Sequence, residues 1–302
     1  MSPVRLLDRK WLLPDFSSSA IRRRLATELR RLREQTGLSG DEVADRLGWS
    51  GSKISRIETH RTGVKQADLD LLLQLYEVDE DLRGQLKALA GEHESRGWWT
   101  GYADALPEEY AAYISLEADA LSASWWSPEL INGLLQSEGY ATAVIQAHMR
   151  TTSTLPPGEL RRRVEARMRR QEILTRPDPP EVSFVLDEAV LLRRFGTNAA
   201  MRDQLARLDQ IAEMPKVTLQ VLALEGNHPI GTGSFAILRF APVHGAVLDD
   251  VVYVEELSRS NYVEDENETY QYQLAFERLQ AEALSPDASR QLIARIATER
   301  WA

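Results

Sequence analysis

The chain has 302 residues, a length that fits two domains better than one. Hydrophobic residues at 43% and charged residues at 27% fit a folded globular chain and exclude a disordered or fibrous one. The net charge of −10 argues against a polyanion partner for the chain as a whole, and zero cysteines exclude disulfides, thiolate metal sites and thiol nucleophiles.

Arg5, Arg9 and Lys10 are followed by no apolar run of signal-peptide length, because Leu12 and Leu13 stop at Pro14. Residues 1–20 read as an N-terminal arm. No stretch approaches a membrane span, so the expectation is a cytoplasmic protein without membrane contact, and the lack of cysteine fits that compartment. After the arm the charge changes sign. Residues 21–65 hold eleven Lys/Arg against six Asp/Glu, a net +5, which leaves 25 against 40 elsewhere, a net −15. A small basic module is joined to a large acidic body, and polyanion binding belongs to the module.

Within the module, Ile21, Leu25, Leu29 and Leu32 recur at helical spacing and stop at Thr36-Gly37. Ser39-Gly-Asp-Glu42 then reads as a capping box, in which the serine hydroxyl takes an orphan N–H and the glutamate reaches back. Val43, Ala44 and Leu47 give this short helix its apolar face, and Gly48 ends it in a tight turn. Ser50 is expected to cap a third helix, with Ile54 and Ile57 inward and Ser52, Lys53, Ser55 and Arg56 elsewhere. A fourth helix carries Leu69, Leu72, Leu73 and Tyr76, and a fifth, over 79–95, carries Leu82, Leu86 and Leu89. Two short helices joined through a glycine turn, the second slim and basic, form a helix-turn-helix. Ser50, Gly51 and Ser52 give a narrow entry to the major groove, and Arg56 the reach to a guanine edge.

The stretch LSGDEVADRLGWSGSKISRIETHR, residues 38–61, resembles the Xre/Cro-type helix-turn-helix family almost position by position. The resemblance implies base contacts from Gly51, Ser52 and Arg56, and phosphate contacts from Ser39, Gly40 and Arg61. One departure stands out. Gly51 occupies a position where many members carry a base-reading side chain, so readout is expected to lean on Ser52, Lys53 and Arg56.

Gly97, Trp98, Trp99, Gly101 and Pro107 break the helical pattern, so residues 93–109 read as a linker and 110–302 as a second domain. Helical stretches are expected at 116–121, 134–149, 156–175, 201–213, 267–284 and 286–299, with a candidate strand at Ser122–Trp126. Four clearer strands fall at 182–186, 217–222, 234–240 and 251–255. The fold class expected is an all-α helix-turn-helix bundle followed by an α+β domain with a small sheet. Asp187 and Glu188 follow a strand at a helix start, where carboxylates cap. Arg161, Arg162, Arg163, Arg167, Arg169 and Arg170 share one helix with Glu159, Glu165 and Glu172; the face is ion-paired and solvated, or it is a second nucleic-acid site. The adjacent tryptophans at 98–99 and 125–126 read as packing residues ahead of a base-stacking platform.

LEADA (116–120), INGLLQSEGYA (131–141), RRRVEARMRRQEIL (161–174), VSFVLDEAVLLRRFG (182–196), GTGSFAILRF (231–240) and VVYVEE (251–256) occur in that order. This set resembles the C-terminal domain of WhiJ-like regulators of actinobacteria. The resemblance implies a transcriptional regulator, with a small partner protein encoded nearby in an antitoxin-like arrangement.

Catalytic motifs are missing. Gly231-Thr-Gly-Ser-Phe is not a nucleophile elbow, no phosphate-binding glycine motif occurs, and His60, His93, His148, His228 and His244 never fall at helical metal-ligand spacing. No enzyme, cofactor or metal is expected. The partners expected are a double-stranded DNA operator, a second copy of the chain in a homodimer, and the small neighbouring protein. A C-terminal domain that senses a small molecule, in a pocket between the sheet and the Trp-bearing segments, is the competing reading.

Overall fold

The computed structural model describes residues 19–59, 63–92, 98–152, 157–241, 250–256 and 260–302. The chain divides into two compact units, one up to Arg96 and one from Gly97 onward.

Among its described residues the first unit is all helical: α1 (Ser19–Thr36), α2 (Gly40–Leu47), α3 (Gly51–Glu58), α4 (Gln66–Leu75) and α5 (Glu80–Glu92). Leu25, Leu29, Leu32, Val43, Ala44, Ile54, Ile57, Leu69, Leu72, Leu73, Tyr76 and Leu86 are buried in one cluster, with Leu47 and Leu82 partly buried against it. The apolar periodicity therefore becomes a single core, and α2, α3 and α4, too short to persist alone, are held by that shared burial. Gly48 ends α2 at φ 67°, a left-handed conformation that costs glycine nothing and a side-chain residue about a kcal/mol or more.

The second unit opens with a 3₁₀ turn at Trp98–Tyr102 and continues as α6 (Glu108–Asp119), β1 (Ser122–Ser127), a 3₁₀ turn at Gly133–Leu135, α7 (Glu138–Thr152) and α8 (Pro157–Arg170). The helix expected over 156–175 ends at Arg170 and passes into a 3₁₀ turn, Gln171–Leu174; Pro156 lies outside the described residues. Then follow β2 (Glu181–Asp187), α9 (Ala189–Leu192), α10 (Asn198–Ala212), β3 (Val217–Leu222), β4 (Phe235–Arg239), β5 (Val251–Glu255), β6 (Ser260–Val263), α11 (Glu266–Glu282) and α12 (Pro286–Glu299).

The sheet has six strands in the order β3-β2-β1-β4-β5-β6, parallel from β1 to β3 and antiparallel from β1 through β4 and β5 to β6. The small sheet expected from the sequence is thus larger by β6. Ser260-Asn-Tyr-Val lacks a run of apolar residues because it is an outer strand and only half-buried. β1 lies inside the sheet with its middle buried on both faces. Trp125 stacks on Phe184 of β2, ring centroids 4.6 Å apart at 9°. Trp126, one residue on, joins Phe235, Phe276 and Leu279 on the opposite face, as strand alternation requires. At the other outer strand, the Val221 N–H donates to Ser289 Oγ and the Leu284 N–H donates to the Val221 carbonyl, both at 2.9 Å. Those contacts close the β3 edge to further strand pairing.

The Arg-rich helix α8 is largely ion-paired. Arg162 meets Asp104, Arg163 meets Glu159, Arg161 meets Glu165, and Arg167 donates to Gln136. Arg169 lies over the Trp98 ring, which packs beside Leu106, Ile114 and Ala166. Arg170 is buried and forms a bidentate pair with Glu117, both contacts 2.6 Å. Asp187 accepts from the Ala189 N–H in the turn that leaves β2, whereas Glu188 reaches across to accept from the Leu224 N–H just after β3.

Candidate nucleic-acid interface

The α2–turn–α3 unit is fixed from both ends. At the start of α2 the Ser39 hydroxyl accepts from the Glu42 N–H at 3.2 Å, while Glu42 Oε2 accepts from the Ser39 N–H at 2.8 Å. Two orphan donors are satisfied reciprocally, and the bonds that the Glu42 carboxylate accepts, from the Ser39 N–H first and the Ser39 hydroxyl second, hold the carboxyl below its ordinary pKa. At the far end of α3, Glu58 is gripped by Arg33 of α1: Nε to Oε1 at 2.6 Å and Nη2 to Oε2 at 2.9 Å. Arg33 also donates to the Leu38 carbonyl at 2.8 Å, so one guanidinium ties α1, the entry to α2 and the end of α3 together. The pair is 13% and 11% exposed, so it is shielded from solvent and its geometry is bidentate. Sequence reasoning missed it, because Arg33 and Glu58 lie 25 positions apart on different helices.

The residues expected to meet DNA fall into three groups. Ser50, Ser52 and Arg56 are exposed on one side of α3, opposite the buried Ile54 and Ile57, and Gly51 opens that helix. Ser50 stands at the N-cap but its hydroxyl does not cap; it lies 3.0 Å from the Ser52 hydroxyl instead. The Arg56 Nε donates to the Ser52 carbonyl at 3.1 Å, and the side chain is exposed. Ser39 and Gly40 sit at the start of α2, where the capping box takes the Ser39 and Glu42 N–H groups and the first turn's remaining N–H groups have no partner within the helix. Lys53 is different. Its Nζ lies 2.8 Å from Asp68 Oδ1 on α4 and 3.5 Å from the centroid of the Trp49 ring. That amine braces α3 against α4 and the turn. Arg61 lies outside the described residues, as do His60, His93 and His244.

Ion pairing consumes much of the basic excess: Arg30 meets Glu34, Arg31 meets Glu28, and Arg33 and Lys53 are engaged as above. Among the described residues of the module, Arg46, Arg56 and Lys65 are exposed and form no salt bridge. No group of three or more His, Asp or Glu among the described residues could hold a metal ion, and none of their helices is long and apolar enough to cross a membrane.

Residues 24–86 match the model of a helix-turn-helix domain, which points to a DNA-binding regulator rather than an enzyme. No curated protein and no solved structure matches the chain. Residues 110–295, more than half of the chain, match the model of a domain of unknown function, DUF5753, and the chain belongs to that family, carrying a helix-turn-helix module ahead of the domain.

Proposed function

We propose that the protein is a sequence-specific transcriptional regulator that grips an operator as a homodimer and docks a small partner protein, antitoxin-like, on residues 110–302. The observation that carries the DNA-binding reading is the exposed face of α3, where Ser52 and Arg56 stand free of carboxylates on a helix braced from below by Arg33–Glu58 and Lys53–Asp68. In this reading Arg56 and Ser52 meet base edges, Ser39, Gly40 and Arg61 position phosphates, and Lys53 holds the angle of α3. One module offers few base contacts, which supports two copies on an inverted repeat. The partner-binding part is supported by the WhiJ-like motif order and by the net −15 outside residues 21–65, a charge that draws basic partners and repels stray DNA.

A second reading, a small-molecule sensor, is favoured by a cleft of about 460 Å³ lined by Gln136, Ser137, Gln171, Asp203, Arg207 and Gln210. It lies between the start of α7, α8 and α10, not between the sheet and the tryptophans; Trp125 and Trp126 are buried in packing.

The test is selection of randomised duplex DNA by the full-length protein and by Arg56→Ala, with and without the small protein encoded beside its gene. The expected result is an enriched inverted repeat, with one position per half-site relaxed in Arg56→Ala at a loss of about 1–3 kcal/mol. The partner changes occupancy, and operator DNA changes partner affinity by the same factor. No enriched site overturns the regulator reading. Enrichment that the small protein leaves untouched overturns the partner reading in favour of the sensor.

A further inference from the structure

A cleft of about 330 Å³ runs along α3 from Gly51 at its head to Glu58 at its end, with Gly40 and Asp41 of α2 and Arg30 and Arg33 of α1 also in its lining. Neither glycine brings a side chain to the mouth. Asp41 does: its Oδ1 stands 2.7 Å from the point that a Cβ on Gly51 would occupy. The position that opens the reading helix therefore has no side chain of its own and a carboxylate supplied by the neighbouring helix. Asp41 is exposed and forms no hydrogen bond or salt bridge among the described residues, whereas the adjacent Glu42 is consumed by the capping box.

A free carboxylate on a surface that meets phosphates weakens binding to every sequence unless it finds a donor. In the major groove the donors are the exocyclic amino groups of cytosine and adenine. Adenine presents its N7 acceptor beside that amino group, which repels a carboxylate; cytosine presents the amino group alone. We propose that Asp41 is a specificity-determining residue that accepts from the N4 amino group of a cytosine, directly or across one water, in place of the missing reader at Gly51. The inference rests on the DNA-binding reading above. The competing role for Asp41 is electrostatic support of the α3 N-terminus, which Ser50 leaves without a side-chain cap. The two roles differ in what a substitution changes.

Randomised duplex DNA is offered to the full chain and to Asp41→Ala, and thermal unfolding of both is followed. The full chain is expected to enrich cytosine at one position of each half-site. Asp41→Ala loses that preference, about tenfold, keeps the preferences at other positions, and binds sequences lacking that cytosine somewhat more tightly. A selected site in which that cytosine is replaced by a pyrimidine lacking the exocyclic amino group weakens the wild type and leaves Asp41→Ala unmoved. An unchanged preference in Asp41→Ala, whether with a lower melting temperature or with uniformly tighter binding, overturns the inference. Failure of the wild type to enrich any sequence is a separate outcome, which removes the DNA-binding reading and this inference with it.

Discussion

Each unit contains a bidentate arginine–carboxylate pair that joins distant parts of its chain, and the surroundings of the two pairs differ. Arg33–Glu58 retains 13% and 11% side-chain exposure and links three helices of the module. Arg170–Glu117 retains 6% and 2% and is enclosed by aromatic side chains. Tyr110 accepts from Arg170 at 2.8 Å, Tyr113 donates to Glu117 at 2.9 Å, and Trp125 donates to Tyr113 at 2.8 Å. Burial, and then the Glu117 charge, push the Tyr113 hydroxyl well above its ordinary pKa, so it remains a donor at any working pH. The rim pair sets the pose of an exposed helix; the enclosed pair is part of what keeps a core folded. A charge pair in a core adds little over a well-packed apolar one, yet removing one partner strands the other.

The largest effect expected follows from that asymmetry. Glu117→Leu leaves Arg170 charged and unpaired and should destabilise the second unit by about 3–5 kcal/mol, read as a shifted urea transition. The double variant Glu117→Leu with Arg170→Met should recover most of the loss, because both charges are then gone. A single substitution that costs less than about 1 kcal/mol would mean that water reaches this network and that the contrast between the pairs is false.

Glu58→Gln should cost less, about 2 kcal/mol, because Arg33 keeps its bond to the Leu38 carbonyl and some access to water. Its signature is different in kind. With α3 no longer held at its end, affinity should fall for all DNA sequences alike while base preferences survive. A change of preference at one base position would place Glu58 or Arg33 among the readers and break the assignment of a bracing role.

These two pairs were the least legible part of the sequence. The capping box at Ser39 and Glu42, the Gly48 turn and the inward isoleucines were visible because their causes lie within a few residues of each other. Arg33 and Glu58 are 25 positions apart, and Arg170 was one of six arginines on a helix until folding buried it beside Glu117. Lys53 shows the same limit: its type and position suit base reading, but Asp68 and Trp49 sit beside it only in the folded module. The strand β6 escaped for another reason. An outer strand half in water has no need of the apolar alternation that betrays an inner one. Among the site residues, spacing along α3 gave the exposed face, while the reach of Asp41 across to Gly51 depends on how two helices cross.

The smallest effect expected belongs to the local pair and sharpens the contrast with the long-range ones. Glu42 accepts from the Ser39 N–H and hydroxyl, and its folded-state pKa is lowered for that reason. An unfolded glutamate titrates at about 4.3, so a lowered folded value contributes stability above that pH that is lost as pH falls through the folded value. Glu34, lowered by its bond to Arg30, adds a contribution of the same sign, but it is present in both proteins of a Glu42 comparison and cancels. Glu42→Gln keeps an oxygen that accepts from Ser39 and discards the charge. At neutral pH the variant should therefore melt slightly below the wild type. Well below the folded value the wild-type carboxyl carries its proton, comes to resemble the amide, and the gap should close. A gap of equal size at both pH values would show that the box acts through shape alone and that the charge on Glu42 contributes nothing to holding α2 in place.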